Sequence, residues 1–472
     1  MQSPMPPSRF QNHPMPPQGG AFVQPPFPPP PPEALPEAPK NNWATLNFIF
    51  YLCGYTLCGA LLSPLSGLLG LSIVDSWLIN YPVRGFQMVV AAYCLFVVGK
   101  DQRGKMQWTG LHTLLIVLWV MGLLRVFIDV KFFARTMSFP TAWNIDTIRT
   151  PVKYWGYFVL GALSMFSVLR TIHLIDFKKA IKWLFWASLV GSICSLWTMN
   201  RSISIASDLG NREYSGSRAT AGVSLHTQAL GGFGMTTAII SFYYLMEIVK
   251  GFNWKKVFAI LGIFIGLYLS IKAGSRGPFL GLIVFLGFYT LVKFTKYAIV
   301  ALPLVGILGA VGYAIRFKIV SLIGIFNPII EKRLLLTLEE GDTSYRTELW
   351  EEYWNLALEH PVMGVHSTTF GYSHNEIIDQ FFQYGFILGW LGLIPILVAP
   401  VLCYKLLKSG NENWWVAIFV IYRLSQVVTQ SDGVGLLTLI VILYLLKKGM
   451  PKDSGFIDGN NVLQSVPPCQ RP

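Results

Sequence analysis

The sequence predicts an all-α, polytopic membrane bundle of about twelve transmembrane helices with one large outer helical loop. Three observations carry that prediction: an apolar composition, a series of bilayer-length apolar runs, and an alternation of basic loops between them. Of the 472 residues, 53% are hydrophobic and only 13% are charged, and the mean hydropathy is +0.49. Ordinary soluble domains carry about 25% charged residues, so the composition excludes a soluble enzyme and a disordered tail protein.

Residues 1–42 stand apart. They hold about half of the 29 prolines, including the run 28–32, and read as a disordered, partly polyproline II cytoplasmic arm. The arm lacks an apolar stretch followed by a small-residue cleavage site, so the first apolar run is expected to stay as a transmembrane helix. The membrane domain is expected over 43–447, with a short cytoplasmic tail over 448–472. Its runs lie near 43–62, 80–99, 108–126, 153–170, 181–199, 224–248, 256–273, 278–295, 297–315, 385–407, 413–430 and 433–447. Pro82 with Arg84 interrupts the second, and Arg423 the eleventh. Cys53, Cys58, Cys94, Cys194 and Cys403 fall inside runs and Cys469 in the tail, with no spacing of a metal or redox motif.

Lys and Arg collect after every even run. Lys100, Arg103 and Lys105 follow the second; Lys178, Lys179 and Lys182 the fourth; Lys250, Lys255 and Lys256 the sixth; Lys293 and Lys296 the eighth. Lys405 and Lys408 follow the tenth, and Lys447, Lys448 and Lys452 the twelfth. The positive-inside rule then places both termini in the cytoplasm. Much of the net charge of +13 becomes an orientation signal, and nucleic acid is not an expected partner.

The largest loop on the other side is 316–384, acidic along Glu339, Glu340, Asp342, Glu348, Glu351 and Glu352. Leu349, Trp350, Tyr353, Trp354 and Ala357 recur at helical spacing, predicting a helix over 345–358, with Asp342, Thr343 and Ser344 as N-cap candidates and both tryptophans at the membrane interface. Arg346 sits in its first turn, where the helix dipole disfavours a cation, so another interaction is expected to hold it there. Ser373-His374-Asn375-Glu376 has the form of a capping box, with Ser373 as N-cap and Glu376 at the third helical position. His374 would then open the helix, where the positive dipole end favours neutral imidazole, the form that accepts a proton from a hydroxyl. The alternative is a histidine that merely hydrogen-bonds at a helix start.

Two further arginines sit at outer ends of runs, Arg218 in Ser215-Gly216-Ser217-Arg218 and Arg276 in Gly274-Ser275-Arg276-Gly277-Pro278. Beside glycines a guanidinium can grip phosphate bidentately; the alternative is interfacial snorkelling. The chain has no phosphate-cradling Walker loop and no acidic or histidine-rich metal cluster in any outer loop. No cofactor and no catalytic metal are expected.

Between residues 218 and 393 these pieces resemble the O-antigen ligase and O-antigen polymerase family of bacterial inner-membrane glycosyltransferases. The likeness rests on Gly274-Ser275-Arg276-Gly277 between two runs, then Arg346-Thr347-Glu348-Leu349-Trp350, Pro361-Val362-Met363-Gly364, His374-Asn375 and Gly385. The resemblance implies a GT-C-like helical bundle with a large periplasmic loop. It further implies metal-independent transfer of an undecaprenyl diphosphate-linked glycan to an acceptor hydroxyl, on lipid A core for a ligase or on a lipid-linked repeat unit for a polymerase. By the same resemblance Arg276 and Arg218 hold the diphosphate, Arg346 adds charge from the loop, and His374 acts on the acceptor hydroxyl. Asn375 and His226 are then the further substrate-binding residues. The stretch after Arg218, with His226 and Gln228, lacks the asparagine often found there. His360 and His366 are rival histidines in the same loop, and His374 is preferred for its helix start and for the Asn375 that follows. Polysaccharide-assembly proteins are candidate partners of the arm.

Two other classes share the topology. A transporter of a small solute or glycan would place its chemistry at the membrane midplane, with Arg84 and Arg423 as its polar residues, and a scaffold would need none of these side chains.

Overall fold

The structure, a computed structural model, describes residues 40–69, 77–100, 110–128, 149–208, 227–249, 253–273, 277–293, 311, 314–325, 331, 335, 346–365, 373 and 375–429. Residues 1–39 of the proline-rich arm, the ninth apolar run apart from 311, 314 and 315, the twelfth run and the C-terminal tail lie outside these residues. Among the described residues the regular elements are all helical. They are α1 (Asn42–Leu69), α2 (Trp77–Tyr93), α3 (Gly110–Ile128), α4 (Arg149–Thr171), α5 (Phe177–Asp208) and α6 (Thr227–Tyr243), followed by α7 (Trp254–Ala273), α8 (Gly277–Lys293), α9 (Arg316–Gly324), α10 (Arg346–Glu359), α11 (Glu376–Lys408) and α12 (Val416–Thr429). Short π-helical turns extend α2 and α6, over Cys94–Val98 and Tyr244–Ile248.

These helices are not the twelve predicted spans one for one, because α9 and α10 both fall in the long loop. Four stretches among the described residues are long and apolar enough to cross a membrane: Phe177–Asn200, Ala229–Ile248, Trp254–Ala273 and Glu376–Lys408. Three shorter apolar helices, Pro82–Val98, His112–Arg125 and Gly277–Val292, accompany them. Helix α1 matches the first run but is broken at Cys53, where φ is −152° and ψ is 16°. Outward faces are apolar as well as inward ones: α7 exposes Val257, Ile260, Leu261 and Phe264, and α8 exposes Leu280, Ile283 and Val284. Helices apolar all round suit lipid rather than water.

Tight helix pairing inside the bundle comes from small residues. Helices α6 and α7 approach so closely that a Cβ on Gly266 would strike the Gly234 carbonyl and the Ala238 backbone. Ser270 Oγ seals the same seam by donating to the Gly231 carbonyl at 2.8 Å. Lipid tails are as apolar as leucine, so close backbone approach and interhelical hydrogen bonds hold such bundles together. Ser192 and Thr237 join α5 to α6 at 3.0 Å, and Asn47 Nδ2 of α1 donates to Ser167 Oγ of α4 at 2.8 Å.

One end of the bundle collects the loops that the charge pattern assigns to a single side. Arg170 Nε donates to the Gly99 carbonyl at 3.1 Å, Asn41 N–H to the Leu174 carbonyl at 2.8 Å, and Lys178 stands 3.4 Å from Glu412. Tyr243 Oη donates to the Glu412 carbonyl, and Trp414 Nε1 to Glu247 Oε1 at 2.9 Å. Buried rings lock that end: Phe48, Phe177 and Trp415 pack on one another, and Trp414 packs on Tyr243. Since Lys408 closes α11 beside it, the opposite end of α11 faces the long loop.

Replacing Gly266 by leucine should force α6 and α7 apart and cost about 1–3 kcal/mol, the usual range for overpacking. Thermal unfolding of the detergent-solubilised protein reports it. Gly287→Ala on α8, where a Cβ would meet nothing within 4 Å, should not lower the midpoint, since alanine is the better helix former.

Candidate functional site

At the loop end α10 lies on the first turns of α11. Tyr353, Ala357, Val365, Phe381, Phe382 and Leu393 form a second buried core, separate from that of the bundle. Tyr353 and Phe382 rings meet at 4.6 Å, and Trp354 sets its edge against Phe381 at 5.7 Å and Phe386 at 5.5 Å. The helix predicted over 345–358 is therefore present as Arg346–Glu359. Trp354 does more than mark an interface, since it joins α10 to α11.

Helix α11 turns a corner at Gly385, whose φ of 69° lies in the left-handed region. Position 389 shows how sharp the corner is: a Cβ on Gly389 would sit 2.9 Å from the Gln380 carbonyl oxygen, although nine residues of straight helix span about 13 Å. The stretch beyond the corner, 386–408, is still about 34 Å long, enough to cross a bilayer core. Loop helix and tenth span thus remain distinct pieces, as the sequence predicts, and they share one continuous chain.

A turn from the loop completes the corner. In an unbroken helix Phe386 N–H would donate to the Phe382 carbonyl. Here Phe386 N–H donates to the Pro361 carbonyl at 2.7 Å, and the Phe382 carbonyl accepts from Val365 N–H at 2.6 Å. Pro361-Val362-Met363-Gly364 therefore takes over both halves of the lost helical bond. Backbone lies on backbone: a Cβ on Gly385 would meet the Pro361 oxygen at 2.6 Å, and one on Gly364, itself at φ 65°, the Phe382 oxygen at 2.6 Å. Arg125, near the C-terminal end of α3, donates from Nη1 to the Met363 carbonyl at 2.8 Å, tying the turn to the bundle.

Where α11 begins, buried polar residues gather: Ser373, Asn375, Glu376, Asp379 and Gln380 are each less than one-tenth exposed. The predicted capping box is corrected. Asn375 is the N-cap, in extended conformation, and its side chain accepts from Ile377 N–H at 3.1 Å. Glu376 is the first helical residue and bonds Gln380 Nε2 at 2.6 Å. Ser373 instead turns its hydroxyl to Asn375, accepting from its N–H at 3.1 Å. An asparagine side chain bonding two residues ahead competes well with serine for the cap. Position 374 therefore precedes the cap, and the dipole argument for a helix-opening histidine falls.

Of the other predicted site residues, Arg346 opens α10. His374, Arg276, Arg218 and His226 lie outside the described residues; Arg276 belongs to the three-residue link between α7 and α8, and His226 immediately precedes α6. Rival His360 is exposed, and its carbonyl accepts from Gly364 N–H at 3.0 Å; His366 is outside the described residues. Trp350, expected only at an interface, donates from Nε1 to the Ser373 carbonyl at 3.0 Å. Asp379 and Arg125 escaped the sequence reading. Arg125 carried the same signal as Arg218 and Arg276, an arginine at the outer end of a run, and Asp379 carried that of a second acid in the first turn of a helix, three residues after Glu376.

Gly385→Ala and Gly364→Ala should each lower stability by at least about 1–2 kcal/mol, the cost of a left-handed non-glycine residue before any backbone clash. Asn375→Ala should cost about 1 kcal/mol, and Asn375→Asp, which keeps a capping oxygen, much less. Melting curves of the purified variants check both.

No curated protein matches the chain. Residues 257–397 match the O-antigen ligase family model, a stretch running from the first turn of α7, through the link holding Arg276 and the α10 helix, past the corner at Gly385. Arg276, Arg346, His374 and Asn375 fall inside the match, whereas Arg218 and His226 fall outside it. Residues 257–397 are thus the stretch in which this chain is similar to the O-antigen ligase family.

Proposed function

We propose that the chain is a metal-independent glycosyltransferase of the bacterial inner membrane, with a GT-C-like bundle and both termini in the cytoplasm. It takes a glycan from undecaprenyl diphosphate and transfers it to an acceptor hydroxyl at the periplasmic face, on lipid A core or on a lipid-linked repeat unit. The single observation that carries this reading is the O-antigen ligase match over residues 257–397, which contains the three residues to which the chemistry is assigned.

In the proposed reaction His374 accepts the proton of the acceptor hydroxyl as its oxygen bonds the anomeric carbon. The bond from that carbon to the diphosphate breaks, and the leaving undecaprenyl diphosphate takes the electron pair. Arg276 and Arg346 stabilise the developing charge, with Arg218 and His226 contributing from outside the matched stretch. Preorganised guanidinium groups in a site shielded from water can supply this stabilisation, and Asn375 orients the acceptor from the start of α11. Basic loops at the end of the bundle remote from α10 support a periplasmic position for the site.

Purified protein incubated with the lipid-linked glycan of its host in the presence of EDTA tests the reading. Transfer to added lipid A core identifies a ligase; chain growth on donor alone identifies a polymerase. If folded protein consumes donor in neither case, the assignment fails. Arg276→Ala and His374→Ala should insert normally and lose transfer by about 100-fold or more. Arg276→Lys should recover only part of it, because an ammonium cannot reproduce a bidentate contact.

A further inference from the structure

The segment leading into α11 is held from two helices at once. Ser373 is fully buried and Asp379 is 1% exposed. Asp379 Oδ1 accepts from Ser373 N–H at 2.8 Å, and on the other side of the same residue Trp350 Nε1 donates to the Ser373 carbonyl at 3.0 Å. Asn375 is fixed as firmly: its N–H donates to Ser373 Oγ at 3.1 Å, its carbonyl accepts from Asp379 N–H at 2.9 Å, and its side chain caps Ile377.

Capping does not explain the buried carboxylate. Asn375 already caps α11, whereas the Ser373 N–H bonded by Asp379 lies outside the helix. Burying a carboxylate is costly unless hydrogen bonds and the positive end of a helix offset it. Asp379 and Trp350 both act on the one residue that precedes position 374.

We propose that Asp379 and Trp350 are positioning residues, clamping the Ser373 backbone from α11 and α10 so that His374 meets the acceptor hydroxyl in register. The inference rests on the functional reading above and extends it to two residues that act through His374. Misplacing a reacting group by 1 Å can cost about 100-fold, so a loosened clamp acts on kcat. Donor binding, assigned to the arginines, is untouched.

The test combines kinetics with hydrogen exchange of the full-length protein in detergent. Asp379→Ala should lower kcat about tenfold or more, leave KM for the lipid-linked donor within about twofold, and speed amide exchange around 373–375. Asp379→Asn retains an oxygen to accept from Ser373 N–H and should restore kcat to within about threefold. Trp350→Phe, which keeps the aromatic packing and removes the donor, should loosen the same amides and lower kcat in the same sense; it also serves if Asp379→Ala does not fold. In a His374→Ala background, Asp379→Ala should cause no further loss, because the two act through one group.

Unchanged exchange, an intact kcat in Asp379→Ala, or additive losses with His374→Ala each overturn the positioning role while leaving the functional reading standing. Wild-type transfer by His374→Ala overturns the functional reading, and the positioning role with it.

Discussion

The corner at Gly385 is the constraint on which the candidate site depends. A helix that turns sharply must abandon backbone hydrogen bonds, and an unmade buried bond costs about 1–3 kcal/mol per group. Inside the hydrocarbon core of a bilayer the cost is greater, because water cannot fill in. This chain meets the demand with backbone from elsewhere: the Pro361 carbonyl and the Val365 N–H take the places left open at Phe386 and Phe382. Two left-handed glycines, Gly364 and Gly385, make the approach sterically feasible. Remove either, and the turn, the end of α10 and the buried polar start of α11 lose their common reference.

Around that corner the structure divides its polar chemistry by location. The interior of the bundle uses hydroxyls and small residues, as in the Ser270 and Gly231 seam, to bring helices close without burying charge. One end is locked by aromatic rings and by bonds to Glu412 and Glu247. At the other end, carboxylates and amides are buried between α10 and α11, each with neighbours close by. Charged groups there are held by structure rather than by solvent, as is expected where a reaction demands fixed geometry.

The family match and the structure agree on what belongs together. Residues 257–397 enclose the α7 and α8 link, the turn at 361–364 and the whole corner. The match ends inside the stretch that crosses the membrane, once the corner and its supporting glycines have been passed. Arg125, outside the match, reaches in from α3 to hold Met363, so the bundle steadies the loop through a residue the matched stretch itself does not supply.

Much of this protein could be read from its residues. Apolar runs and basic loops gave the helical membrane class, because a bilayer demands length and apolarity and the charge rule acts on composition alone. Helical periodicity placed α10 to within a residue, and the order of Gly274-Ser275-Arg276-Gly277, Arg346, Pro361-Val362-Met363-Gly364 and His374-Asn375 pointed to the family. The N-cap was misread because Ser373 and Asn375 both have the side chains for it, and only the backbone path decides between them. Asp379, Trp350 and Arg125 took their roles from partners 6, 23 and 238 residues away in sequence. Sequence by itself determined the all-helical, apolar class of the chain and its likeness to the ligase family over 257–397, since those depend on residue type, period and order. Tertiary structure alone decided that α11 turns at Gly385 and which atoms complete the turn, because those hydrogen bonds join segments that only folding brings together.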